Sequence, residues 1–116
     1  MNLVFDKYNY NIEKFNSQLE AYCAEKEIDG PALLKMQLIS EEFLSGILFP
    51  NYDGQIRILI FLKGNNKVLT FEYSDEKNYM NDVNEKTVIS LKLLEKQTED
   101  IISTTINGTT SISFII

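Results

Sequence analysis

Histidine is absent from the 116 residues and cysteine appears once, at Cys23. The first absence excludes catalytic triads and general bases built on imidazole, and with them most zinc sites. A single thiol excludes an intramolecular disulfide, and Cys23, beside Tyr22 in a helical stretch, is expected as a small core residue rather than a reactive thiol. No Lys/Arg cluster offsets a net charge of -6, which argues against a nucleic-acid partner, because binding a phosphate backbone needs a concentrated basic surface. The balance is compatible with a basic protein partner and equally with plain solubility. The opening "MNLVFDKYNY" lacks the basic n-region and apolar run of a signal peptide, and nothing approaches the ~18 apolar residues of a membrane span, so the expected compartment is the cytoplasm. Internal repeats, low-complexity segments, Walker loops and metal-ligand clusters are missing as well.

What is present suits one soluble domain over 1–116. The composition is 44% hydrophobic and 24% charged, and a chain of this size buries roughly two-thirds of its unfolded surface without covalent staples. "NLVFDKY" predicts a short strand with Leu3 and Phe5 on one face and Val4 on the other. From Asn11 the period changes: Ile12, Phe15, Leu19 and Tyr22 recur at steps of three and four and predict an amphipathic helix. Asp29-Gly30-Pro31 is a turn, with Pro31 suited to the first position of a second helix, where its missing N–H is not needed. That helix is expected to run to Phe49, to be the central one, and to bury Leu34, Met36, Leu38, Phe43 and Ile47.

Pro50 stops the second helix, and "NYDG" makes a turn. "QIRILIFLK" and "KVLTFEYS", separated by "GNN", alternate as the strands of a hairpin. The polar stretch "DEKNYMNDVNE" has no period, and Tyr79 and Met80 within it are expected to be pinned to the domain or used in binding. A third helix begins near Lys86, its apolar face marked by Val88, Leu91 and Leu94 and supported by Leu93. Asn107-Gly108 between two β-branched runs is the strongest hairpin signal in the chain, since both residues tolerate positive φ. The order β-α-α-β-β-α-β-β predicts an α+β, two-layer sandwich: a mixed, mostly antiparallel sheet with three helices on one face.

"SEEFLSGILFPNY" and the element order resemble the Bergerat-fold ATP-binding domain of the GHKL (HATPase) superfamily, and within it the bacterial anti-sigma-factor serine kinases. The resemblance covers nearly the whole chain. Those proteins carry Glu-x-x-x-Asn on their second helix and often a Tyr just beyond it. Here Glu42 falls on the Glu and Tyr52 on the Tyr, while Gly46 stands where the Asn should be. The family Asn binds the magnesium that bridges the nucleotide phosphates, and the Glu acts as base or orients the attacking group. Glycine offers no side-chain oxygen to a hard cation.

In "EYSDEKNYMND", Asp75 stands near the family Asp that holds adenine, with Lys77 in place of the following glycine; in the other register Tyr73 replaces the Asp. "NDVNEKTVIS" has no glycine where the family has its phosphate loop, and only without a Cβ can backbone amides approach a polyphosphate closely. "NGTTSISF" keeps the Gly-Thr turn, at Gly108 and Thr109, and is equally a plain hairpin turn. The resemblance therefore implies a degenerate HATPase-like domain acting in regulation by contact with another protein, of the sigma-factor or anti-sigma-antagonist kind. No metal and no cofactor are expected, and an enzymatic role is disfavoured. The alternatives are an ATP- and magnesium-dependent serine/threonine kinase, with Glu42 as base and Asp75, Gly108 and Thr109 at the nucleotide, or an unrelated α/β interaction module. Stretch 75–85 would then be a shortened ATP lid or a partner contact. Nucleic acid and membrane are not expected as partners; pairing as a homodimer is implied by the resemblance alone.

Overall fold

The computed structural model describes residues 1–82 and 84–116. Its order is β1 (Asn2–Phe5), α1 (Ile12–Glu25), α2 (Gly30–Phe43), a π-helical turn Leu44–Leu48, β2 (Ile56–Lys63), β3 (Asn66–Tyr73), a 3-10 turn Tyr79–Asn81, α3 (Glu85–Gln97), β4 (Asp100–Ile106) and β5 (Thr109–Ile115). The five strands form one sheet in the order β1-β2-β3-β5-β4. Every pairing in it is antiparallel, so the expected mixed sheet is corrected to a wholly antiparallel one. α3 carries the chain from one end of β3 back to the other, β4 rises at the far edge, and the tight turn sends β5 down into the gap beside β3.

The two hairpin turns have the backbone their residues demand. Asn107 and Gly108 both lie at positive φ, 50° and 78°, the pattern of a type I′ turn. In the β2–β3 turn Gly64 is at +62°. Each helix begins on a polar cap: Asn11, Asp29 and Asn84 accept from the amides of Lys14, Ala32 and Thr87 at 2.8–2.9 Å. Pro31 sits in the first turn of α2, where it costs no hydrogen bond.

All three helices cover one sheet face. Ile56, Ile58 and Ile60 of β2, Leu69, Phe71 and Tyr73 of β3, and Ile112 and Phe114 of β5 meet Phe15, Leu19 and Cys23 of α1, Met36, Ile39 and Phe43 of α2, and Leu94 of α3 in one core. Phe43 lies at the centre, its ring 4.8 Å from that of Phe71 and 5.4 Å from that of Phe114. Cys23 is buried, and burial pushes its thiol pKa up. Among the described residues no helix lies on the opposite sheet face.

The second helix ends near Phe49 as expected, but it is α-helical only to Phe43. From Leu44 the bonding widens, with the Phe49 N–H donating to the Leu44 carbonyl at 2.8 Å, and this turn brings Leu44, Ile47 and Leu48 into the core. Leu34 and Leu38 are exposed, whereas Met36, Phe43 and Ile47 are buried as expected. α2 is apolar around most of its circumference, but the sheet, α1 and α3 cover only part of it. On α3 the buried positions are Thr87, Ser90 and Leu94, and Leu93 faces solvent.

Candidate functional site

The residues of the expected nucleotide site divide between two neighbourhoods. Glu42 and Gly46 belong to the contact between α2 and α3. A Cβ on Gly46 would lie 2.6 Å from Ser90 Oγ, so that hydroxyl would have to shift, and 3.2 Å from Glu42 Oε1, a tight contact. Glycine here lets the Ser90 side chain of α3 pack directly against α2. The helices run antiparallel, since Gly46 meets Ser90 while Leu38, Ile39 and Glu42 share a cavity of about 90 Å3 with Leu93, Leu94 and Gln97. Half-buried Glu42 borders that apolar cleft, and its neighbour Glu41 is exposed and accepts from the Ser45 hydroxyl at 3.2 Å.

Tyr52 and Asp75 belong to the second neighbourhood, at the end of β3. The rings of Tyr52 and Tyr79 lie 5.3 and 5.7 Å from that of Tyr73. The Tyr52 hydroxyl donates to the Gln55 carbonyl at 3.0 Å and accepts from the Ser74 N–H at 3.2 Å. Asp75 accepts from the Tyr79 hydroxyl through Oδ2 and from the Lys77 N–H at 3.0 Å through Oδ1. Its backbone carbonyl accepts from the Thr110 hydroxyl at 2.6 Å, and the Tyr73 hydroxyl donates to the Lys77 carbonyl at 2.8 Å.

Electrostatics follow this geometry. The Tyr79 hydroxyl, and then the Lys77 amide, hold the Asp75 carboxyl below the usual carboxylate range. Burial pushes Tyr73 up to about 12 and raises Tyr79 as well, the latter also through its bond to Asp75. Lys77 closes the stretch with a 2.8 Å ion pair to Asp82. Tyr79 and Met80 are buried in the core, so the described part of 75–85 is folded onto the domain; Val83 lies outside the described residues.

Gly108 occupies the β4–β5 turn, where a Cβ would meet nothing within 4 Å. Thr109 borders a cavity of about 270 Å3 with Arg57, Glu72 and Ser74. Another cavity, about 280 Å3, lies between β1 and the start of α1 and contains none of the motif residues. Tyr10 borders it; its buried hydroxyl has no hydrogen-bond partner among the described residues, and burial, then the nearby Glu41, pushes its pKa up to about 12. Among the described residues no group of three or more acidic, His or Cys side chains is placed to hold a metal ion.

The Tyr73–Asp75–Tyr79 network is what sequence reading missed. Its signal was present, as three tyrosines at 52, 73 and 79 flanking a polar stretch with no period. What the sequence does not carry is the fold-back that brings Tyr79 to the Asp75 carboxylate. Compared with known proteins, the chain matches no family model and no curated protein.

Proposed function

We propose that this chain is a regulatory protein-binding domain, similar in architecture to the anti-sigma-factor kinases but working by contact with another protein rather than through ATP. The observation that carries this reading is the outer surface of α2 and α3. Leu34, Leu38, Ile89 and Leu93 are 54, 46, 62 and 44% exposed, and Leu38 and Leu93 line one cleft. Large aliphatic side chains gathered on one solvent-facing surface are the mark of a contact site, whereas single exposed ones need no explanation.

Two further observations support leaving nucleotide out. Gly46 offers magnesium no oxygen, and the Ser90 hydroxyl occupies the space a side chain there would enter. Both carboxylate oxygens of Asp75 are already engaged by its own loop. The partner class that the resemblance implies is a sigma factor or an antagonist of one.

Calorimetric titration with ATP and magnesium tests the reading. The expected outcome is no binding tighter than about 100 µM, equivalent to roughly -5.5 kcal/mol. Tighter, magnesium-dependent binding would replace it with the kinase alternative, in which Glu42 is the base. For the contact surface, Leu38→Glu combined with Leu93→Glu should abolish partner capture while leaving the circular dichroism spectrum unchanged.

A further inference from the structure

The antiparallel sheet ends in β1 on one side and β4 on the other. The register of β1 shows which of its backbone groups are unused. The Met1 ammonium donates to the Ile60 carbonyl at 3.2 Å, and the Met1 carbonyl accepts from the Ile60 N–H at 3.0 Å. Alternation along an antiparallel ladder then turns the backbone groups of Leu3 and Phe5 toward Ile58 and Ile56 of β2, and those of Asn2 and Val4 outward. Among the described residues no loop or side chain takes these outward N–H and C=O groups. At the β4 edge, by contrast, the Ile101 N–H is occupied by the Asp100 carboxylate at 2.9 Å.

Beside this edge runs the cavity of about 280 Å3, with β1 as one wall and α1 as the other. Asn11, Lys14, Phe15 and Gln18 recur at three and four residues, so one face of α1 lines it. Three rings in the lining pack together, those of Phe5 and Phe15 lying 4.9 and 6.0 Å from that of Tyr10. The side-chain oxygens of Asn9 and Asn11 already accept from the N–H groups of Asp6 and Lys14, at 2.8 and 2.9 Å. Lys14 is the only charged side chain in the lining, and no carboxylate among the described residues pairs with it. It also sits in the first turn of α1, where the helix dipole disfavours a cation. Local helix energetics do not account for a lysine there.

We propose that the groove between β1 and α1 binds an extended, acidic segment of another protein, which adds to β1 as a sixth strand. Asn2 and Val4 each exchange two bonds with the residue opposite, about four in all. Segment residues opposite Leu3 and Phe5 turn to the helix side of the sheet. One of them lies on the aromatic rings, and the other, an Asp or Glu, meets Lys14. Main-chain bonds supply affinity, and the groove supplies the choice of sequence.

Size and charge select this occupant. The cavity falls just below the roughly 300–1,000 Å3 of sites that enclose a whole small molecule, so it suits side chains on a backbone held beside it. β1 has only four residues, a ladder too short to hold a strand by its backbone alone, so the segment must also use the groove. An unpaired lysine rejects a basic segment and favours an acidic one. This inference goes beyond the protein-binding reading, since it uses neither the α2–α3 surface nor the Asp75 cluster.

The probe is a display library of random peptides, each about six residues long as in an ordinary strand, panned against the full chain. The expected result is enrichment of sequences in which an apolar residue and an Asp or Glu stand two positions apart. A synthetic peptide of that sequence should slow hydrogen exchange at the Val4 amide and should bind more weakly as salt is raised. Val4→Pro removes only an outward-pointing N–H and should abolish binding in a folded chain. Should that variant not fold, Lys14→Glu puts a carboxylate in the first turn of α1, which suits a helix start. It should weaken the acidic peptide several-fold and strengthen the same peptide with Lys in place of its acid. No enrichment would overturn the proposal, as would selected sequences with helical rather than alternating spacing. So would binding that survives both substitutions or leaves the Val4 amide unprotected. Protection of Val4 that rises with protein concentration in the absence of peptide would put a second copy at the edge and overturn it too.

Discussion

Gly46 shows how one residue can be conspicuous in the sequence while its reason stays hidden. Glycine inside a helix costs about 0.8–1 kcal/mol relative to alanine, so its presence there asks for an explanation. The resemblance would set it in register with the Asn of a magnesium site, but the identity of the element that closes on it is a matter of tertiary packing. That element is α3, through Ser90. Gly46→Ala should therefore lose about 1–3 kcal/mol to overpacking, despite the gain in helix propensity. In a Ser90→Ala background, with the offending Oγ gone, the same substitution should be neutral or stabilising. Urea denaturation of the four proteins in the cycle measures this coupling, and additive effects would show that the contact imposes no constraint. Gly46→Asn, which introduces the residue found in the resembled kinases, should destabilise further and confer no ATP binding. Asp75 is the opposite case: an acid in a polar stretch draws no notice until Tyr79 folds back onto it.

Among the elements, strands and hairpins were the most legible. A two-residue period and turn residues are local signals, and the Asn107-Gly108 turn needs nothing beyond its own backbone. Helix faces were harder. α2 offers leucine, isoleucine, methionine or phenylalanine to nearly every direction, so periodicity could not say that the side bearing Leu34 and Leu38 would be left uncovered. α3 misleads in the other sense, since it turns Thr87 and Ser90 inward and leaves Ile89 and Leu93 outside. The π turn at Leu44–Leu48 has no sequence signature of its own. Burial predicts a sharp contrast along one helix. Phe43→Ala, at the junction of α2 with Phe71 and Phe114, should cost about 3–5 kcal/mol. Leu38→Ala should cost well under that, because its side chain already meets water. Equilibrium unfolding of both variants checks the helix orientation, and similar losses would mean that the inner face has been misassigned.

At the scale of the whole molecule, the order of elements predicted the two layers correctly, while the sheet's uniform antiparallel character depended on how α3 returns the chain. The way the sheet is threaded also sets the order in which it can assemble. β2–β3 and β4–β5 close through two-residue turns and need little chain entropy to form. Joining the hairpins through β3 and β5 brings together Thr70 and Ser113, 43 residues apart, and adding β1 bonds Met1 to Ile60 across 59. Loop closure of that length is slow to be repaid by contacts, and β1 has only four residues with which to repay it, so we predict that the barrier falls at the joining of β3 to β5, with β1 docking afterwards. In stopped-flow chevrons, conservative truncation of Phe71 should slow folding, whereas Leu3→Ala should leave the folding rate nearly unchanged and accelerate unfolding. A Leu3 variant that slows folding as much as the Phe71 variant would place β1 in the transition state instead. With β1 docking last, the β4–β5 hairpin is in place before the sheet is complete. The exposed β4 edge is then already available to a neighbouring chain during folding, which makes refolding yield dependent on protein concentration.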